Sequence, residues 1–202
     1  MLGRYESLAR ATGMCSSVVA RQVHGTRVVV AELPSKGGAR VIGEADGMVT
    51  EAKGLLLVVT AADCVPVFMV DVEGRGIGML HAGWRGSAGG ILEAGLLLLE
   101  RALGIDPSRL VIYLGPAICR SCYEVGVEVQ RAFGRDATRP ACLDLRSELA
   151  RQARGAGVAS SRVLRSDWCT RCGPVPLHSH RAQGEQAGRM AAFLGLANAP
   201  AG

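Results

Sequence analysis

Residues 55–86 read LLLVVTAADCVPVFMVDVEGRGIGMLHAGWRG. The run at 55–60 (LLLVVT) is apolar without alternation, which suits a strand buried on both faces. Residues 65–71 (VPVFMVD) read as the next strand. Pro66 has no N–H to give to a ladder, which places the start of that strand at an edge or irregularity. Gly74-Arg75-Gly76 makes a turn, and residues 77–81 form a third strand. In chain order these predict a β-meander through the middle of the sequence.

Upstream, residues 4–13 (RYESLARATG) predict a short helix ending at Gly13, and residues 16–31 (SSVVARQVHGTRVVVA) predict two strands around a turn near Gly25. A loop at 34–38 precedes strand signals at Val41-Ile42 and Met48-Val49-Thr50. Downstream, a helix is expected from Ser87 as N-cap to Leu103, with Gly104 as C-cap. Residues 109–115 and 161–165 are strand-like, and residues 125–133, 145–154 and 185–196 (EQAGRMAAFLGL) read as helices. No repeat or low-complexity linker breaks the chain, so residues 1–202 read as one α/β (α+β) domain with mixed sheets and flanking helices.

A chain of 202 residues with 49% hydrophobic content can bury a core without staples. Aromatics make up only 4%, so Leu, Val, Ile and Ala must fill it. The net charge of +5 comes from scattered Arg, without the clustered cations and aromatic platforms of a nucleic-acid binder. Mild basicity suits an anionic substrate instead. The apolar runs are too short to span a bilayer, so no membrane partner is expected. With no apolar leader and seven Cys, an odd number, a cytoplasmic protein with free thiols or thiolate metal ligands is expected.

Three residues at element ends can carry chemistry. His24 stands in Gln22-Val23-His24-Gly25, Cys64 follows the buried run, and His81 ends a strand. Two imidazoles and a thiolate suit Zn²⁺, and three protein ligands leave a position for water or substrate. Asp63 can act as an acceptor behind the ligands or as a base. The spacing is not diagnostic, because a His at a strand end is often only hydrogen-bonded and Cys64 can be a small core residue. Residues 83–90 (GWRGSAGG) are Gly-rich and open a helix. Such a turn can hold an anion with Arg85 as a planar fork, or can simply permit a tight strand-to-helix connection.

Cys119-Arg120-Ser121-Cys122 and Cys169-Thr170-Arg171-Cys172 form two C-x-x-C pairs. They can make one structural zinc site, although the interval between them is long for a zinc ribbon. Cys169 and Cys172 can alternatively join His178 and His180. In a third reading Cys119 lines the substrate pocket and Tyr123 stacks on a base. Cys15 and Cys142 read as isolated thiols, and Trp168 as core.

The segments QVHG (22–25), EADGMVT (44–50), TAADCVPV (60–67), HAGWRG (81–86), GPAICRSCYEVG (115–126), SHR (179–181) and GRMA (188–191) together resemble the YfiH/laccase-domain family. That family carries both polyphenol-oxidase and purine-nucleoside-phosphorylase descriptions. The resemblance implies a sandwich related to the catalytic domain of the cytotoxic necrotizing factors, with zinc on His24, Cys64 and His81. It further implies phosphorolysis of adenosine, inosine, guanosine and methylthioadenosine, and deamination of adenosine. Catalytic roles then fall to Cys64, His81, Asp63 and Arg85, and substrate contacts to Arg85, Gly86, Cys119 and Tyr123. The partners are a purine nucleoside and phosphate, with monomer or homodimer both open. Alternatives are a Cys–His amidase acting on peptidoglycan precursors, with Cys64 as nucleophile and His81 as base, and a copper-dependent polyphenol oxidase. Members of that family usually carry a strand region with a T-R-x-G-G-like segment ahead of the helix resembling residues 4–13. The resemblance therefore implies a missing edge strand and pocket wall.

Overall fold

The computed structural model describes residues 2–35 and 37–197. The elements are α1 (Leu2–Ala11), β1 (Ser16–Arg21), β2 (Val28–Val30), β3 (Gly38–Glu44), β4 (Gly47–Thr50), β5 (Leu55–Ala61), β6 (Val65–Asp71) and β7 (Ile77–Ala82). They continue with α2 (Trp84–Gly89), α3 (Ile91–Leu103), β8 (Leu110–Leu114), β9 (Glu124–Val125), α4 (Val127–Ala132), β10 (Ala141–Cys142), α5 (Leu145–Gly155), β11 (Val163–Arg165), α6 (His180–Gln183) and β12 (Met190–Gly195).

Two mixed sheets result, ordered β12-β5-β1-β3 and β11-β8-β6-β7-β4-β2, beside a small β10-β9 ladder. They stack face to face, and side-chain alternation along β5 shows how. Leu55, Leu57 and Val59 pack with Met48, Ile77 and Met79 of the larger sheet, while Leu56 and Val58 pack with Ala9, Tyr5 and Leu8 of α1. The unbroken apolar run is thus buried on both faces, as its pattern predicts. On its other face the larger sheet presents Val49, Val67, Met69 and Leu80 to Leu92, Leu96 and Leu99 of α3 and to Leu149 and Ala153 of α5. The layers are therefore helix, sheet, sheet, helices. Among the described residues no helix is long and apolar enough to cross a membrane.

Several local expectations are corrected. The three central strands are not one meander: β6 and β7 form the hairpin, but β5 lies in the other sheet. Likewise β1 and β2 do not pair with each other, since β1 joins β3 and β5 while β2 joins β4. Pro66 stands in the interior strand β6, one residue beyond the last β6–β8 ladder pair, Val67–Leu114; its carbonyl accepts from Gly115 N, but with no N–H it cannot return the second bond to Gly115, and the ladder ends there. The helix expected from Ser87 is broken at Gly90, whose φ of 90° ends α2 and starts α3, so Ser87 lies inside α2; Gly104 caps α3 as expected. The tail is strand β12, paired from Met190–Ala61 to Gly195–Leu56. Its Ala, Leu and Met favour a helix, but an unsatisfied edge of β5 captures it as a strand. Trp168 is 47% exposed and is not core.

Of the places where the chain passes from one sheet to the other, two carry the candidate ligands: between β1 and β2, and between β5 and β6. Both crossings lie at one end of the sandwich. Gln22 joins them, its side-chain amide donating to Thr60 O and accepting from Thr60 N, both at 2.7 Å, as a strand neighbour would. His24 occupies the first crossing and Cys64 the second. His81 stands opposite Pro66 at the adjoining end of β7.

Candidate metal centre and cavity

The first crossing is held by a residue that the sequence reading did not single out. Asp46 is fully buried and accepts from three successive backbone amides: Val23 at 3.1 Å, His24 at 2.9 Å and Gly25 at 2.7 Å. These bonds hold His24 at φ 60°, a left-handed conformation uncommon outside glycine, which Asn, Asp and His adopt more readily than other residues. Asp46 Oδ1 also lies 2.9 Å from His81 Nδ1. An ionised carboxylate can only accept, so Nδ1 carries the proton and Nε2 is the ring atom free to ligate. One buried carboxylate thus holds the backbone turn that carries His24 and orients the His81 ring.

His24, Cys64 and His81 have donor atoms within 4.8 Å of one another and form a Cys/His group able to hold a metal ion. The imidazoles meet edge to face with centroids 4.8 Å apart. A Cβ on Gly83 would fall 2.9 Å from Cys64 Sγ and 3.2 Å from His24 Cδ2, so only glycine leaves these donors their room.

The electrostatics suit a metal-ready pair. Burial alone would raise the Cys64 thiol, but hydrogen bonds from His24 and His81 outweigh it and bring it from 9.0 down to about 7. Burial would lower His81, yet its bonds to Asp46 and then Cys64 raise it from 6.5 to about 9. Asp46 is held below its ordinary value, its desolvation overcome by His81 and the three amides. In metal-free protein the depressed thiol contributes stability above pH 9 that is lost as pH falls through 7. The raised imidazole contributes stability below pH 6.5 that is lost as pH rises through 9. The two slopes oppose each other between 7 and 9. Alkylation of Cys64 by iodoacetamide in metal-stripped protein should therefore show a rate midpoint near pH 7; a midpoint near 9 would contradict the pairing.

These donors face a cavity of about 830 Å³. Trp84, Arg85, Tyr123, Arg181 and Arg189 also line it. Arg85 lies 4.3 Å from the Trp84 ring centre, and Arg181 lies 5.1 Å from that of Tyr123. Burial, then the nearby Cys64 thiolate, raises the Tyr123 hydroxyl to about 12, so it stays protonated.

Asp63 also lines the cavity, but its carboxylate is engaged elsewhere: Oδ1 accepts from Thr170 Oγ1 and Oδ2 from Arg181 N, both at 2.6 Å. The acceptor role behind the ligands belongs to Asp46. Gly86 is buried in α2 and is not part of the cavity wall. A Cβ there would meet Gly25 O at 2.8 Å, so it serves close packing against the His24 turn. Cys119 is likewise outside the cavity and belongs to a group with Cys122, Cys169 and Cys172, all four sulfurs within 4.8 Å. His178 and His180 do not join this group: His178 packs against Gly188, and His180 lines the cavity. Asp46 had a signal in the sequence, an acidic residue directly ahead of an apolar strand; Thr170 and Gln22 had none, because their partners are distant in the chain.

A family model described as multi-copper polyphenol oxidoreductase laccase matches residues 3–197. Purine nucleoside phosphorylase YlmD of Geobacillus stearothermophilus is 33% identical over 200 residues, covering 88% of this chain and 71% of that protein. Adenosine deaminase RL5, from an unknown prokaryotic organism, is 33% identical over 196 residues, covering 89% and 74%. The crystal structure of Geobacillus stearothermophilus YlmD superposes with a TM-score of 0.88 at 30% identity, covering 98% of this chain and 80% of that one. The hypothetical protein YfiH of Bacillus licheniformis superposes with a TM-score of 0.87 at 26% identity, covering 96% and 80%.

Proposed function

The chain belongs to the family described as multi-copper polyphenol oxidoreductase laccase, and within it we propose a zinc-dependent purine nucleoside phosphorylase that also deaminates adenosine. The observation that carries this reading is the convergence of His24, Cys64 and His81 on the wall of a cavity large enough for a nucleoside and rich in Arg. The relatives named for these two activities support it.

Two imidazoles and one thiolate fit zinc in a catalytic set of three protein ligands. When bound, the ion would supply Lewis acidity and an activated water. Multicopper chemistry needs more imidazoles than this chain has: it contains four His, and among the described residues only one group combines His with Cys. The rest of the work falls to the chain itself. Asp46 keeps the His81 Nδ1 proton in place and so leaves Nε2 basic. Arg85, with Arg181 and Arg189, makes the cavity cationic and suits a phosphate dianion. In phosphorolysis a phosphate oxygen bonds to the ribose anomeric carbon, the bond to the purine nitrogen breaks, and the purine takes up a proton. In deamination water adds at C6 and ammonia leaves. Tyr123 offers an aromatic face to the base. Asp63 is proposed as a positioning residue that holds the β5–β6 crossing to Thr170 and Arg181.

A Cys–His amidase would use the same Cys64–His81 pair without metal, and the lowered thiol favours it as the second reading. Metal dependence separates the two. Purified, metal-analysed protein incubated with inosine and phosphate should release hypoxanthine, and with adenosine should release ammonia. Absence of both products at stoichiometric zinc would defeat the reading. Arg85→Ala should raise the KM for phosphate about tenfold with a smaller change for the nucleoside, as loss of one charge-assisted contact implies. An unchanged phosphate KM would remove Arg85 from that role.

A further inference from the structure

The two C-x-x-C pairs, far apart in sequence, meet in space. We propose that Cys119, Cys122, Cys169 and Cys172 form a second, structural zinc site that fixes the wall of the cavity. Their four sulfurs lie within 4.8 Å of one another, and Cys119 Sγ is 3.8 Å from Cys172 Sγ. Zn–S bonds of about 2.3 Å in a tetrahedron set sulfurs about 3.8 Å apart. A disulfide would need about 2.05 Å.

The backbone is arranged around sulfur as a thiolate requires. Cys169 is buried, and its Sγ accepts from the amides of Cys119 at 3.2 Å, Arg171 at 3.4 Å and Cys172 at 3.5 Å. Three donors aimed at one buried sulfur are suited to a charged acceptor. A Cβ on Gly173 would lie 2.4 Å from Cys169 O, so glycine lets the second pair fold back on itself. The pairs are also joined through the main chain, with Thr170 N donating to Ala117 O at 3.2 Å. Zinc would displace four thiol protons and leave a net charge of −2, with Arg120 and Arg171 inside the two pairs to offset it.

The site has a structural consequence for the cavity. Thr170, inside the second pair, holds the Asp63 carboxylate; Ile118, beside the first pair, donates to Asp63 O at 3.1 Å. Ile118, Tyr123 and Asp63 all line the cavity. An ion gripping both pairs therefore pins the wall and the β5–β6 crossing that carries Cys64. This proposal rests on the sulfur geometry and is independent of the reaction assigned to the cavity.

Zinc analysis of freshly purified wild-type protein should find about two ions per chain, falling to about one in Cys122→Ser/Cys172→Ser and to about one in His24→Ala/His81→Ala. Cobalt titrated into the reduced, metal-free His24→Ala/His81→Ala protein should give the intense visible bands and sulfur-to-cobalt charge transfer of a tetrathiolate, and zinc should bleach them. Alkylation of the wild-type protein, mapped by cysteine, keeps the test decisive if a variant fails to fold: Cys119, Cys122, Cys169 and Cys172 should be protected until a chelator removes the metal. Full reaction of these four in the zinc-loaded wild type, zinc content undiminished in the double Cys variant, or recovery of the four cysteines as disulfides without metal would overturn the proposal.

Discussion

Asp46→Ala is expected to lose zinc affinity about 10- to 100-fold, the usual consequence of removing the partner that orients a ligating imidazole. The same change should lower stability by about 3 kcal/mol or more, because three backbone amides and the His81 ring lose a charged acceptor, and a hydrogen bond to a charged group contributes about 1.5–3 kcal/mol. The two effects have one origin. Without the carboxylate nothing holds His24 at φ 60° or keeps the His81 Nδ1 proton in place. Urea titration of metal-free protein reads the stability loss in the absence of any ligand contribution, and chelator competition reads the affinity. Asp46→Asn, which keeps the shape and one acceptor oxygen, should fall between the two proteins in stability but remain impaired in zinc binding. Wild-type zinc affinity in either variant would show that the His24 turn and His81 are positioned by something else.

The second large effect is that of metal removal. Stripping the protein with a chelator should reduce both phosphorolysis and deamination on the order of a thousandfold, corresponding to the several kcal/mol that a bound Lewis acid supplies. Zinc should restore both. His81→Ala should reproduce the loss without rescue, since it deletes a donor and leaves Asp46 Oδ1 with only the His24 amide. An amidase built on the Cys64–His81 pair behaves in the opposite sense: chelation frees a thiolate already brought down to about 7 and raises its activity. Full activity after stoichiometric zinc loss would therefore exchange the leading reading for the second one.

The parts of this fold that were legible in the sequence are those set by local chemistry. The apolar run at Leu55–Thr60 identified a strand buried on both sides, and Gly104 ended a helix where a left-handed residue was needed. His24, Cys64 and His81 stood out at element ends, though only the surrounding motifs made them a set. What the sequence hid depends on which sheet a strand enters. Nothing in residues 22–27 or 62–64 announces a crossing between sheets, so local pattern alone favours a single meander and two adjoining strands around Gly25, where the fold puts the strands in different sheets. The tail from Met190 has helix-forming residues and becomes a strand only because β5 offers it an edge. Asp46 is visible as an acidic residue ahead of an apolar strand, but its role is not, since its four partners come from two other segments. The four cysteines illustrate the limit most sharply: the interval between the pairs argues against a shared site, and the fold brings their sulfurs together all the same.

An anomalous difference map collected at the zinc absorption edge tests the central claim most directly. The account predicts a peak bonded to a nitrogen of His24, the sulfur of Cys64 and Nε2 of His81, with its remaining coordination open to the cavity and filled by water or phosphate. Absence of a peak between these side chains in zinc-loaded crystals, or a fourth protein group closing the ion off from the cavity, would contradict it.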